Sequence, residues 1–294
     1  AVPPGVGPVS VAVVVPITVA APASGLLDAD DLERYTGPFG SLTRQLDAVA
    51  GTPAAIALDP MIPASIRVLG SAAPSSAAQW LARLEATSNE VFLLAYADAD
   101  LVSAARTGTL GDLVPTGFDF ALDEADFSPA VTAAPTADPT ATPTVGPNDP
   151  PPFPTTDDLL AWTTALPAIA WPDTTVGADD LPALAGAGYD HVIVSSSATG
   201  EPAAPLVELD GIRGVVADAA LTALLADAVA AASSSVRTTA VDALDAELAA
   251  RTAATPGRGL VLTVNRAWNS TSTGLSEVLA RLASTPNATP VPLS

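Results

Sequence analysis

The chain has 294 residues, 49% hydrophobic and 15% charged, a globular composition long enough to build a sizeable core. Its net charge is −21 and all eleven basic residues are Arg, which argues against a surface that grips nucleic-acid phosphates or an anionic membrane. Cysteine is absent and His191 is the only histidine, so disulfides, thiol catalysis and zinc sites needing two or three histidines are ruled out together.

The chain opens on a Pro-rich lead-in with no basic, apolar leader, which suggests either a removed segment or a piece of a longer protein. The apolar stretch from Val9 to Leu27 is broken by Pro16 and Pro22 and reads as a strand plus loop rather than a membrane span. The first strand is Ser10–Ile17. Acids at Asp28, Asp30 and Asp31 open a helix, where the dipole is positive. Ser41–Val49 is a second helix with Leu42, Leu46 and Val49 on one face. Strands follow at Ala54–Leu58 and Val91–Ala97; Met61–Leu69 turns away from the end of the first of these, Ser75 and Ser76 cap a helix to about Ala86, and a short helix, Leu101–Arg106, comes after the second.

Periodicity then fades. Phe118–Leu122 reads as a short strand or wall segment, and about 128–156 is a Pro/Thr/Ala-rich excursion whose composition favours extended backbone over a packed core. Order returns with a helix at Asp157–Ala165, strands at Ala168–Trp171, Asp190–Val194 and Gly214–Ala217, and a short helix from Asp179 to Gly186 or Gly188. Two Ala-rich helices (Ala219–Ala232, Val236–Ala253), a strand at Gly259–Val264, a segment Thr273–Glu277 that leads into Val278–Leu282 and a last strand at Ala288–Leu293 complete the chain.

Strands that alternate with helices imply parallel pairing through helical crossovers. The expected fold is α/β: a single domain over 1–294, a TIM-like (β/α) barrel of seven or eight units carrying the Pro/Thr-rich insertion, with an open doubly wound sheet as the alternative. No G-x-G-x-x-G follows the first strand and no P-loop is present, so nucleotide-binding variants lose support and no cofactor is expected.

The strands are near-continuous apolar runs, as strands buried on both faces are, and most end in polar residues. In a barrel those ends share one rim, the face that carries active sites. The candidate catalytic acids are therefore Asp59, Asp98, Asp100, Asp173 and Asp218; the candidate ligand-binding residues are Tyr96, Trp171, Asn265, Arg266 and Trp268. Opposed carboxylates are what glycoside hydrolysis needs, one protonated and one charged, and crowding raises the pKa of one of them. Aromatic rings beside them suit sugar faces. Asp at a strand end is equally the residue that caps the next helix, and Arg266 equally a structural ion-pair partner. No metal site is expected, because the twelve-residue calcium loop is missing. His191 lies at the start of its strand, on the face opposite the rim, which leaves no Ser/His/Asp triad with Ser195–Ser197.

Several segments carry a resemblance: Val11–Thr18, Leu42–Val49, Ala57–Pro60 with Ser65 and Ile66, and Tyr96–Asp100. These resemble an actinobacterial family of large, membrane-anchored cell-envelope proteins whose gene commonly neighbours the lipid II flippase gene. The likeness covers most of the first 110 residues and, more loosely, Trp171–Asp173 and Val264–Arg266. It implies an extracellular domain anchored through flanking segments, partnered by envelope polysaccharide or wall-assembly proteins. No activity is assigned to that family, so no catalytic residue is carried over. The strand-end pattern also looks like the polysaccharide deacetylase and glycoside hydrolase barrels, at the level of fold. The deacetylases hold their metal with an Asp and two His, and one His cannot do that.

Two functions follow from this reading. One is a barrel that binds an envelope glycan or serves wall assembly without chemistry; the other is an active glycoside hydrolase using paired rim aspartates. Whether the chain is an enzyme depends on carboxyl separation, roughly 5–5.5 Å for retention or 6.5–9.5 Å for inversion, and on whether the rim acids are free.

Overall fold

The computed structural model describes residues 7–127, 153–163, 166–199, 204–268 and 273–294. Seven parallel strands form one curled sheet in the order β3-β2-β1-β8-β7-β5-β4: β1 (Val9–Ile17), β2 (Ala55–Leu58), β3 (Val91–Leu93), β4 (Ile169–Ala170), β5 (His191–Ser195), β7 (Ile212–Ala217) and β8 (Gly259–Thr263). Two more strands join it, β6 (Leu206–Leu209) antiparallel to β7 and β9 (Ala288–Pro290) parallel to β1. The fold is thus mixed α/β with the cyclic strand sequence of a barrel, but the barrel is not closed, because β3 and β4 do not pair.

The curl keeps a barrel-like interior nonetheless. Inward positions from all seven parallel strands meet in one cluster: Ala12 and Val14, Ala57, Phe92, Ile169, Ile193, Val215 and Ala217, and Val261. Phe92, Leu94, Leu166 and Ile169 fill the unpaired seam with side chains instead of hydrogen bonds. The alternate residues face outward into helical layers: Val11, Val13 and Val15 belong to a second cluster with Ile56 and Leu58. Both faces of β1 are buried, the physical reason for its unbroken apolar run.

Two short strands explain the irregular base. β1 bonds β9 over Val9–Val11 and β2 over Val14–Ile17, both on the side away from β8. On the side away from β5, β7 bonds β6 over Ile212–Val215 and meets β8 only at Ala217. Each intruder wedges between neighbours near their N-terminal ends. The β6–β7 turn is Asp210-Gly211, both at positive φ (35° and 92°), the pattern of a type I′ hairpin.

The helices are α1 (Ala29–Thr36), α2 (Ser41–Val49), α3 (Met61–Val68), α4 (Ser75–Glu85), α5 (Leu101–Thr107), α6 (Glu124–Phe127), α7 (Thr156–Leu160), α8 (Leu181–Gly186), α9 (Ser196–Thr199), α10 (Ala219–Ala230), α11 (Ser234–Ala254) and α12 (Gly274–Ser284). Side-chain caps start many of them: Asp28 for α1, Asp100 for α5, Thr155 with Asp158 for α7, Asp218 for α10 and Ser233 for α11. Among the described residues no helix is long and apolar enough to cross a membrane.

Several expected boundaries change. The third strand ends at Leu93, not Ala97, because the chain turns at Tyr96–Asp98. The strand read at Gly214–Ala217 begins at Ile212 and belongs to a hairpin. Phe118–Leu122 is no strand: Phe118 is buried and Asp119–Ala121 is a single 3₁₀ turn. The helix placed at Asp157–Ala165 is Thr156–Leu160, and the last strand stops at Pro290. Most of the Pro/Thr-rich excursion lies outside the described residues.

Candidate functional site

The C-terminal ends of the strands gather polar groups as a rim should, but they do unequal work. Asp59 follows β2 directly and is fully buried. Its Oδ1 accepts from the Met61 N–H at 2.9 Å and the Ala97 N–H at 3.0 Å, and its Oδ2 is buried without a partner. Burial is the main force that pushes its pKa from 3.8 to about 7; the negative charge of Asp98 adds to it, while the two N–H donors and Arg266 oppose it. Asp59 is therefore a carboxyl that titrates near neutrality.

The Ala97 bond explains the turn after β3. Ala97 and Asp98 both stand at positive φ, 57° and 49°, the left-handed region that non-glycine residues rarely adopt. That turn delivers the Ala97 N–H to Asp59 and swings the Asp98 carboxylate toward Arg266, 168 residues away. Arg266 Nε lies 2.9 Å from Asp98 Oδ1 and 2.8 Å from Oδ2. Arg266 Nη2 donates to the Trp171 carbonyl, and the guanidinium lies over the Trp171 ring at 4.3 Å from its centroid. Nη1 is buried with no partner. Burial raises the pKa of Asp98, Arg266 opposes the rise, and Asp173 on the same rim adds to it.

Two cavities open here. One, of about 440 Å³, is lined by Thr18, Tyr35, Gln45, Asp98, Arg266 and Trp268. The other, of about 200 Å³, is lined by Trp171, Asp173, Thr175, Ser195, Ser197 and Thr222 among others. Each partner of the Arg266–Trp171 stack lines a different cavity.

Of the residues singled out from the sequence, Asp59, Asp98, Trp171, Asp173 and Arg266 come together here. Tyr96 sits behind Asp59: its hydroxyl donates to the Gly25 carbonyl at 2.7 Å, and burial, then the Asp59 charge, raises its pKa. Trp268 is buried and anchors β8 to β1 by donating Nε1–H to the Pro16 carbonyl at 3.0 Å. Asn265 is exposed, and its backbone carbonyl accepts from the Trp268 N–H. Asp100 is exposed and caps α5 through the Val102 and Ser103 N–H groups; with the Ser103 hydroxyl, these bonds lower its pKa. Asp218 caps α10 through the Leu221 N–H and pairs with Arg251 of α11 at 3.4 Å. Asp100 is thus engaged at the start of α5, and Asp218 divides its two oxygens between the start of α10 and Arg251. His191 starts β5 at the opposite end of the sheet, its pKa lowered by burial and then by Arg213.

One site residue was missed. Gln45, on α2, is buried on the apolar face that carries Leu42, Leu46 and Val49. An amide on such a face is the signal that sequence reading passed over. Among the described residues no group of three or more His, Cys, Asp or Glu could hold a metal ion. No protein-family model and no curated protein matches this chain.

Proposed function

We propose that this chain is an extracytoplasmic carbohydrate-binding domain that docks a cell-envelope glycan at the C-terminal edge of its sheet without cleaving it. The observation that carries the reading is the commitment of the rim acids. Asp98 is held by Arg266, Asp59 is sealed from solvent, and Asp100 and Asp218 cap helices. Hydrolysis needs two available carboxyls flanking one bond, and Asp173 alone of the five is exposed without such a role.

Support for a sugar comes from the linings. The two cavities carry hydroxyls from Thr18, Ser195, Ser197 and Thr222 and rings from Tyr35 and Trp171, which suits a neutral polyol. A net charge of −21 disfavours anionic ligands. The envelope setting, and wall-assembly proteins as further partners, rest on the sequence resemblance.

The test is a glycan array with the wild type and Asp98→Asn, both checked for fold by circular dichroism. Binding lost only in the variant supports the reading; no saturable binding by a folded wild type refutes it and turns attention to a protein partner. One observation favours the hydrolase reading, the Asp59 carboxyl titrating at about 7 as a proton donor should. That reading requires turnover of chromogenic glycosides that Asp59→Asn abolishes, and an inert wild type overturns it.

A further inference from the structure

Asp173 is the one ionisable residue in the lining of the smaller cavity, and it has no hydrogen bond or ion pair among the described residues. It is exposed, so a ligand can reach it. Two arginines border this mouth, and both are already matched. Arg266, whose guanidinium lies over the Trp171 ring, pairs with Asp98. Arg106, whose Nη2 comes 3.5 Å from the Thr175 carbonyl, pairs with Asp180 through Nε at 2.9 Å and Nη2 at 2.8 Å. These pairs cancel, and the Asp173 carboxylate is left as the uncompensated charge of the cavity. Its charge also reaches Asp98, whose pKa it raises. Two carboxylates on one rim repel, and a bound cation relieves that repulsion.

The rest of the lining limits what that cation is. Thr174, Thr175, Ser195, Ser197 and Thr222 bring hydroxyls, and Trp171 brings apolar surface. A bare metal ion needs several oxygen ligands, and among the described residues no group of three acids or histidines could hold one. At about 200 Å³ the cavity lies below the roughly 300–1,000 Å³ of a site for a drug-sized molecule, which suits one sugar ring rather than a length of chain. We infer that the smaller cavity takes a cationic amino sugar, a hexosamine whose amine is free rather than acetylated: its ammonium pairs with Asp173, and its ring hydroxyls bond those of the serines and threonines. A lysine side chain offers the same ammonium, but its stem is apolar and leaves the lining hydroxyls unmatched. The inference rests on the carbohydrate-binding reading above and narrows its ligand from any polyol to one that carries a positive charge.

The experiment is calorimetric titration of the whole chain at low salt and pH 6, where an amine is protonated. Four probes are used. The glucosamine trimer carries the ammonium, its N-acetylated form replaces it by a neutral amide, cellotriose replaces it by hydroxyl, and N-acetyl-lysine methylamide presents an ammonium without a sugar. The expected result is that the glucosamine trimer binds about fivefold or more tightly than either neutral trimer. Asp173→Asn keeps the shape of the side chain, removes its charge, and brings the three trimers to similar affinity. Asp242→Asn, an exposed acid on α11 outside the lining, keeps the preference. A preference that survives in Asp173→Asn reports the general attraction of an acidic chain and overturns the site. Equal affinity of the trimers for wild type overturns the cationic ligand and leaves glycan binding standing. Binding of none overturns both readings. The lysine probe matching the glucosamine trimer overturns the sugar assignment in favour of a protein ligand. Asp173→Ser serves in place of Asp173→Asn should circular dichroism show the latter unfolded.

Discussion

Replacing Asp59 by Asn tests the electrostatics of the rim directly. In the folded chain this carboxyl titrates at about 7, against 3.8 for an ordinary Asp. At 1.36 kcal/mol per pH unit, that difference amounts to about 4 kcal/mol. The sign follows from proton counting. Between pH 3.8 and about 7 the folded state holds a proton that the unfolded state has released, so folding loses stability as pH rises through that window. The stabilisation is complete below the unfolded value and gone above about 7. Asn carries no proton equilibrium. It keeps the acceptor for Met61 and Ala97 but places an NH₂ where Oδ2 stands unpaired, at a pH-independent cost of about 1–3 kcal/mol. The assay is urea unfolding of both proteins from pH 4 to 8. Asp59→Asn is expected to start less stable at pH 4 and to gain on wild type by up to about 4 kcal/mol by pH 8. Parallel stability curves across that range would refute the assignment of a raised pKa to this group.

Two further predictions concern stability away from the charge. Ala97→Gly relieves a left-handed residue without touching the N–H that binds Asp59, and it is expected to raise stability by about 0.5–1 kcal/mol in the same urea assay; no gain means that the turn stores no strain. Asn89 is a hub beneath the rim: Nδ2 reaches the carbonyls of Val49, Thr52 and Ala54 at 3.1, 2.9 and 2.7 Å, and Oδ1 accepts from the Gly51 N–H at 3.3 Å. Asn89→Ala is expected to cost about 2–4 kcal/mol while leaving saccharide affinity unchanged, since it ties the base of β2 and lines neither cavity. A loss below about 1 kcal/mol shows that water replaces the amide at these carbonyls.

Local chemistry made much of the fold readable. Each parallel strand is an apolar run because both of its faces are covered, and helix starts are marked by Asp28, Asp100, Thr155 and Asp218 because orphan N–H groups need acceptors. The β6–β7 hairpin was not read, although Asp210-Gly211 between Leu209 and Ile212 carries its turn signal; Leu206–Leu209 is largely exposed and shows no apolar run of the kind that marks the other strands. Closure was not legible. It depends on whether β3 meets β4, and the intervening segment carries no signal for or against that pairing.

The sequence by itself determined that several apolar strands would end in acids, because burial on two faces and capping of the following helix are both short-range demands. Only the tertiary structure decided which acid does what. Asp59, Asp100 and Asp218 carry the same local signature, yet one is sealed with a raised pKa, one caps a helix in solvent and one caps a helix while pairing with α11. The difference lies in partners such as Arg266, which reaches Asp98 from 168 residues away, and electrostatic energy depends on distance in space rather than along the chain.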